Sequence, residues 1–136
     1  MGPFAQRGDS NALSVFGALN VRGEGCPKDY SKAVKFYWLA AERGNAVAQN
    51  HLGLMYQQGR GVQQNYALAI KLFNMAIAHN SGAAMSNLGE LYKWGYGVPR
   101  DWAKGRDLAD HAEEIEMDRV GAGPDDPIWW LFLGTE

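Results

Sequence analysis

Glycine recurs in this sequence at a fixed interval of 36 residues, in three separate columns. The columns are Gly17, Gly53, Gly89; Gly23, Gly59, Gly95; and Gly25, Gly61, Gly97. Apolar columns keep the same interval, among them Leu19, Met55 and Leu91. An interval of this length, held without a slip, is typical of a tandem-repeat architecture. The sequence therefore predicts three repeats, at residues 9–44, 45–80 and 81–116.

Each repeat contains two stretches of helical periodicity on either side of a Gly-x-Gly loop. In the second repeat, Ala48, Leu52 and Met55 lie at the three- and four-residue spacings of one helix face. A lone helix hairpin cannot bury its own apolar stripe, so successive hairpins must stack. The fold class predicted is all-α: a right-handed α-solenoid of three 36-residue helix-hairpin repeats with a C-terminal tail.

Two further columns make this prediction testable. Asp29, Asn65 and Asp101 stand where the second helix of each repeat begins, and their side-chain oxygens suit an N-cap. The first glycine column lies inside the first helix, where glycine costs about 1 kcal/mol relative to alanine. A close approach of the partner helix would explain glycine in that column.

The two ends depart from the repeat. Residues 5–8 share three of four residues with 41–44, so residues 1–8 are interpreted as part of a preceding repeat or as a cap. The last second helix is predicted to run on to about residue 120 as an acidic, solvated capping helix, which is favoured over a divalent-cation site. Residues 121–136 are predicted to be a loop and an apolar tail.

The tail carries three large aromatic residues: Trp129, Trp130 and Phe132. Left in water they would form an interaction or aggregation site. Folding back over the third hairpin is favoured, because a terminal repeat must cover its open core face. Docking onto another molecule or a second copy of the chain is the alternative.

Charge and hydropathy exclude two classes of partner. Thirteen Lys and Arg against fifteen Asp and Glu give a net charge of −2, with no long block of either sign, which disfavours nucleic-acid binding. The longest apolar run, residues 128–133, is far shorter than the roughly 20 residues of a membrane-spanning helix. The compartment stays open: a complete chain would be cytoplasmic, and one that has lost an N-terminal signal would be periplasmic or secreted.

No pattern of catalytic or metal-binding residues accompanies the repeats. His51, His79 and His111 occupy different repeat columns and form no ligand pair, so no metal site is predicted. Cys26 shares a column with Val62 and Val98, which favours packing over reactivity. The Gly-x-Gly loops do not continue into a phosphate-binding motif. We therefore predict neither catalysis nor a cofactor.

The motif Leu52-Gly53-Leu54-Met55-Tyr56, followed by Gly59-Arg60-Gly61-Val62, resembles the Sel1-like repeat, a 36-residue relative of the tetratricopeptide repeat. The third repeat carries the same pattern, and the first carries it more weakly, with Asn20 in the tyrosine column. The resemblance implies a non-catalytic adaptor or scaffold that binds a protein or peptide. Two alternatives remain: a dedicated inhibitor or immunity protein for a bacterial toxin or effector, and a structural fragment of a longer repeat scaffold.

The resemblance also implies that a partner binds the concave surface lined by the first helices. Matched to the motif, the partner-binding residues predicted there are Arg22, Asn50, Leu54, Gln57, Gln58, Ser86, Glu90, Lys93 and Trp94. Trp94 would anchor an apolar side chain, while the amides and charges bond to peptide groups. The alternative is that these are ordinary exposed helix residues.

Overall fold

The computed structural model describes residues 10–120, and side chains as far as residue 117. Within these residues the chain forms helices and turns only. The six helices are α1 (Ser10–Arg22), α2 (Tyr30–Glu42), α3 (Ala46–Gln58), α4 (Tyr66–Ile77), α5 (Gly82–Trp94) and α6 (Trp102–Val120).

The helices pack as three hairpins in chain order. The most extensive contacts pair α1 with α2, α3 with α4, and α5 with α6, and smaller interfaces join α2 to α3 and α4 to α5. Each hairpin therefore packs on the next, and the predicted all-α solenoid of three repeats is confirmed.

The second helix of each hairpin begins at the predicted cap. The carboxylate of Asp29 accepts the backbone N–H of Lys32 at 3.0 Å. Asn65 and Asp101 accept backbone N–H groups in the same way, each at 3.0 Å. These bonds satisfy donors that a helix start leaves without partners.

The glycines inside the first helices lie where the second helices approach most closely. A Cβ built on Gly53 would lie 2.7 Å from the ring of Phe73, and one on Gly17 would lie 2.8 Å from the ring of Tyr37. At Gly89 the nearest atom would be the carbonyl oxygen of Gly105, also at 2.7 Å. The predicted close approach is confirmed, because any side chain at these positions would push the hairpin apart.

The core divides into two clusters, one for each inter-repeat junction. The first joins repeats 1 and 2 and includes Tyr37, Leu52 and Leu72; the second joins repeats 2 and 3 and includes Phe73, Leu88 and Leu91. The acidic side chains of α6 between residues 107 and 116 are exposed, as predicted for a solvated helix face.

Candidate partner-binding surface

A pocket of about 260 Å³ lies between the first helices of repeats 1 and 2. Residues of α1, α2 and α3 line it, together with one residue of the loop after α3. They are Ala18, Val21, Arg22, Tyr30, Tyr37, His51, Leu54, Met55, Gln58 and Arg60. We refer to this set as the cationic pocket, since two guanidinium groups and no carboxylate line it.

Two stacked rings form part of the cationic pocket. The rings of Tyr37 and His51 lie 5.3 Å apart between centroids, with their planes 22° apart. Burial lowers the pKa of His51, and the charge of Arg22 lowers it further. Burial also raises the pKa of the Tyr37 hydroxyl, with Arg22 acting in the opposite sense. At neutral pH both rings are therefore uncharged, and the charge of the pocket comes from arginine.

The two arginines of the pocket differ in what they contact. The guanidinium carbon of Arg60 lies 5.5 Å from the ring centroid of Tyr30, a cation–π contact. Arg22 is exposed at the end of α1. In the described part of the chain, neither guanidinium forms an ion pair with a carboxylate.

A second cluster of side chains lies one repeat further along, at the end of α5. The indole N–H of Trp94 donates to Glu90 at 3.0 Å, and Lys93 lies 3.5 Å from the same carboxylate. The edge of Trp94 meets Trp102 with centroids 5.5 Å apart, while Lys93 lies over the Trp102 ring at 5.4 Å. We call Glu90, Lys93, Trp94 and Trp102 the tryptophan cluster. Trp94 remains 52% exposed, although it contacts both Glu90 and Trp102.

The structure brings six of the nine predicted residues into these two groups. Arg22, Leu54 and Gln58 line the cationic pocket, whereas Glu90, Lys93 and Trp94 form most of the tryptophan cluster. Gln57 is half-buried, and its side-chain oxygen is buried without a hydrogen-bond partner among the described residues.

Asn50 and Ser86 belong to neither of these two groups. Asn50 is only 6% exposed, and its amide oxygen accepts from the amide of Asn87 on α5 at 2.8 Å. Ser86, 36 residues later, lines a depression between α5 and α6 with Ala112 and Met117. The next hairpin therefore covers Asn50, whereas Ser86, in the last described repeat, remains exposed.

The polar and aromatic side chains Tyr30, Tyr37, His51 and Arg60 also line the pocket, although the sequence did not predict them as partner-binding residues. Tyr30 and Arg60 were assigned no role beyond the repeat pattern, His51 was considered only as a metal ligand, and Tyr37 was assigned no role. One signal could have found the first pair: both Arg60 and Tyr96 are large planar residues in the Gly-x-Gly loop, and each packs on the tyrosine that begins the preceding second helix. The predicted tail residues Trp129, Trp130 and Phe132 lie outside the described residues.

A metal site and a membrane-spanning helix are both absent from the described residues. No three His, Cys, Asp or Glu side chains between residues 10 and 117 lie close enough to hold a metal ion. None of the six helices is long and apolar enough to cross a bilayer.

The sequence matches the Sel1 repeat family over residues 16–45, 46–81 and 82–109. A crystal structure of a Sel1 repeat protein from Oxalobacter formigenes is similar, with a TM-score of 0.77 and 34% identity over 85% of this chain and 46% of that one. A protective antigen with an SLR fold, from uropathogenic Escherichia coli, gives 0.75 and 36% identity over 82% of this chain and 24% of that one.

The chain thus spans less than half of the length of either solved relative. No curated protein matches the sequence. Sel1 repeat proteins are generally non-catalytic scaffolds that bind other proteins. The stacked hairpins and the three matched segments together show that the chain belongs to the Sel1 repeat family.

Proposed function

We propose that this chain is a non-catalytic adaptor that binds a segment of a partner protein along the first helices of its repeats. The cationic pocket and the tryptophan cluster are successive binding positions along that surface. The observation that carries the proposal is Trp94, a large aromatic side chain that is 52% exposed yet held by Glu90 and Trp102.

An exposed but oriented tryptophan suits binding for a physical reason. A side chain already fixed in one rotamer loses little conformational entropy when a partner covers it. Tryptophan is also among the residues most enriched at binding hot spots. The half-exposed ring thus offers a large apolar area at low entropic cost.

The test is the binding of a partner captured from extract of the source organism and then purified. Isothermal titration with the wild-type chain should give one-to-one binding, and Trp94→Ala should weaken it by about 2 kcal/mol. Met75→Ala is the control, because it removes an apolar side chain that is 40% exposed on α4, away from the proposed surface. Equal affinities for the wild-type chain and for Trp94→Ala would contradict the proposal, once thermal unfolding has shown that both chains are folded.

The identity of the captured partner separates the adaptor from the dedicated inhibitor. A secreted toxin or effector whose activity is lost on one-to-one binding would make the chain an immunity protein. A partner whose own activity is unchanged would support the adaptor.

A further inference from the structure

We propose that the cationic pocket binds an aspartate or glutamate side chain of the partner segment, an inference that rests on the proposed function. The pocket then fixes where along the solenoid the segment lies, and the tryptophan cluster takes an apolar side chain further along. The charge of the pocket, its size and the residues in its repeat columns support this assignment.

Charge points to an acidic ligand. The protein as a whole carries a net charge of −2, yet Arg22 and Arg60 enter one pocket that no Asp or Glu lines. Across the described residues neither arginine is ion-paired. Two guanidinium groups on one rim match a carboxylate in charge, and each can donate two parallel N–H bonds to it.

The fold does not require these two charges. Gln58 and Trp94 occupy the column of Arg22, and Glu24 and Tyr96 occupy the column of Arg60. Tyr96 stacks on Tyr66 with centroids 5.6 Å apart, so an uncharged ring makes the packing contact that Arg60 makes with Tyr30. The cations are thus a local property of the first junction, and packing alone does not account for them.

The size and lining of the pocket fit one side chain. Its volume of about 260 Å³ is below the roughly 300–1,000 Å³ of pockets that enclose drug-sized ligands. Ala18, Leu54 and Met55 provide apolar contact for the methylene groups of the ligand. The amide of Gln58, also in the lining, can donate to a ligand backbone or carboxylate oxygen.

The experiment starts from a phage-displayed library of random dodecapeptides panned on the wild-type chain and on the double variant Arg22→Gln/Arg60→Tyr. Gln and Tyr are the residues that repeats 2 and 3 carry in these columns, and tyrosine keeps a planar group on Tyr30. The control is Lys35→Gln/Lys71→Gln, which removes the same charge from exposed positions on α2 and α4.

Peptides enriched on the wild-type chain are then synthesised with the acidic residue or its amide, each with a free or an amidated C-terminus. We expect enrichment of Asp or Glu at one fixed position relative to an apolar residue. Replacing that acid by its amide should weaken wild-type binding about tenfold, and the double variant should bind both forms equally. The lysine control should discriminate between acid and amide as the wild type does.

Three results would overturn the inference, and they separate it from the proposed function. Enriched peptides that bind wild type and double variant equally would remove the acidic subsite while leaving peptide binding in place. Binding that follows the free C-terminus would assign the pocket to a terminal carboxylate instead. Failure of the wild-type chain to enrich any dodecapeptide would overturn peptide binding itself, and this inference with it.

Discussion

At the junction of repeats 1 and 2, the guanidinium of Arg60 lies over the ring of Tyr30, 5.5 Å from its centroid. At the junction of repeats 2 and 3, Tyr96 occupies the same column and stacks on Tyr66, with centroids 5.6 Å apart and planes 9° apart. The geometry repeats while the chemistry changes from a cation to a neutral ring. A planar group packs on the tyrosine at both junctions, so this packing contact does not depend on the positive charge of Arg60.

A neighbouring column also differs between the two junctions. His51 stacks on Tyr37 at the first junction, whereas Asn87 in the same column bonds to Asn50 at the second. The first junction thus carries a positively charged pocket, and the second carries a hydrogen-bonded amide pair and stacked aromatic rings. The following predictions test which of these differences concern the fold and which concern binding.

The largest effect is expected where the loop glycine touches the preceding repeat. A Cβ on Gly61 would lie 2.6 Å from the carbonyl group of Tyr30, and one on Gly97 would lie 2.5 Å from the Cβ of Tyr66. Both glycines have positive φ, of 75° and 79°. Gly61→Ala and Gly97→Ala should each lower the free energy of unfolding by about 3 kcal/mol, measured by urea denaturation.

Gly25 provides the matched control for this pair, since it has a φ of 78° in the same column and no described atom within 4 Å of its built Cβ. Gly25→Ala should cost only the backbone strain, about 1 kcal/mol. Equal losses at Gly25 and Gly61 would show that the inter-repeat contact contributes nothing.

The next effect concerns the bridge that belongs to the second junction alone. Asn50→Ala leaves the amide of Asn87 without its 2.8 Å partner and should cost about 2 kcal/mol. The double variant Asn50→Ala/Asn87→Ala should cost less than the sum of the single changes. Additive losses in this cycle would contradict a coupled pair, and Asn74→Ala, on the exposed side of α4, should be close to neutral.

A smaller effect is expected at a bond found at the first junction. The indole N–H of Trp38 donates to the hydroxyl of Tyr56 at 3.1 Å, so Tyr56→Phe should cost about 1 kcal/mol. Tyr92 stands in the same column one repeat later, with Lys104 over its ring and no hydrogen bond from its hydroxyl in the described residues. Tyr92→Phe should therefore change the free energy of unfolding by less than about 0.5 kcal/mol. A loss equal to that of Tyr56→Phe would show that the Trp38 hydrogen bond does not distinguish the two tyrosines.

The smallest expected effect is the contribution of His51, in the cationic pocket, to the pH dependence of the free energy of unfolding. Because burial and Arg22 lower the pKa of His51, the unfolded chain binds this proton more readily than the folded chain. With respect to this group, the free energy of unfolding is therefore highest above the ordinary histidine pKa of about 6.5, and it declines as the pH falls below that value. His51→Asn should reduce that decline, as measured by urea denaturation at a series of pH values.

The same group reports on Arg22. In an NMR titration, Arg22→Gln should raise the pKa of His51 part of the way towards its ordinary value, because burial, the larger cause, remains. An unchanged His51 titration would show that the Arg22 charge does not act in the pocket.

Most of the fold could be predicted from the sequence because the same pattern of caps and glycines recurs in each repeat. Asp29, Asn65 and Asp101 cap helices wherever their column begins one, and Gly17, Gly53 and Gly89 mark the close helix pairs. The groove was predicted less well. Asn50 was placed on it from one motif, although a rotation of a few tens of degrees about the helix axis turns such a side chain from the groove towards the next hairpin, where Asn87 bonds to it.

The sequence by itself determined the period, the hairpins, their caps and the positions of closest helix contact, since these depend on neighbours within one repeat. Only the tertiary structure decided that Arg22 and Arg60, one repeat apart, enter the same pocket and that Asn50 is buried against Asn87. The physical reason is that residues in different repeats meet through the tilt and offset between stacked hairpins. That offset arises from the packing of whole helices, and no local pattern in the chain encodes it.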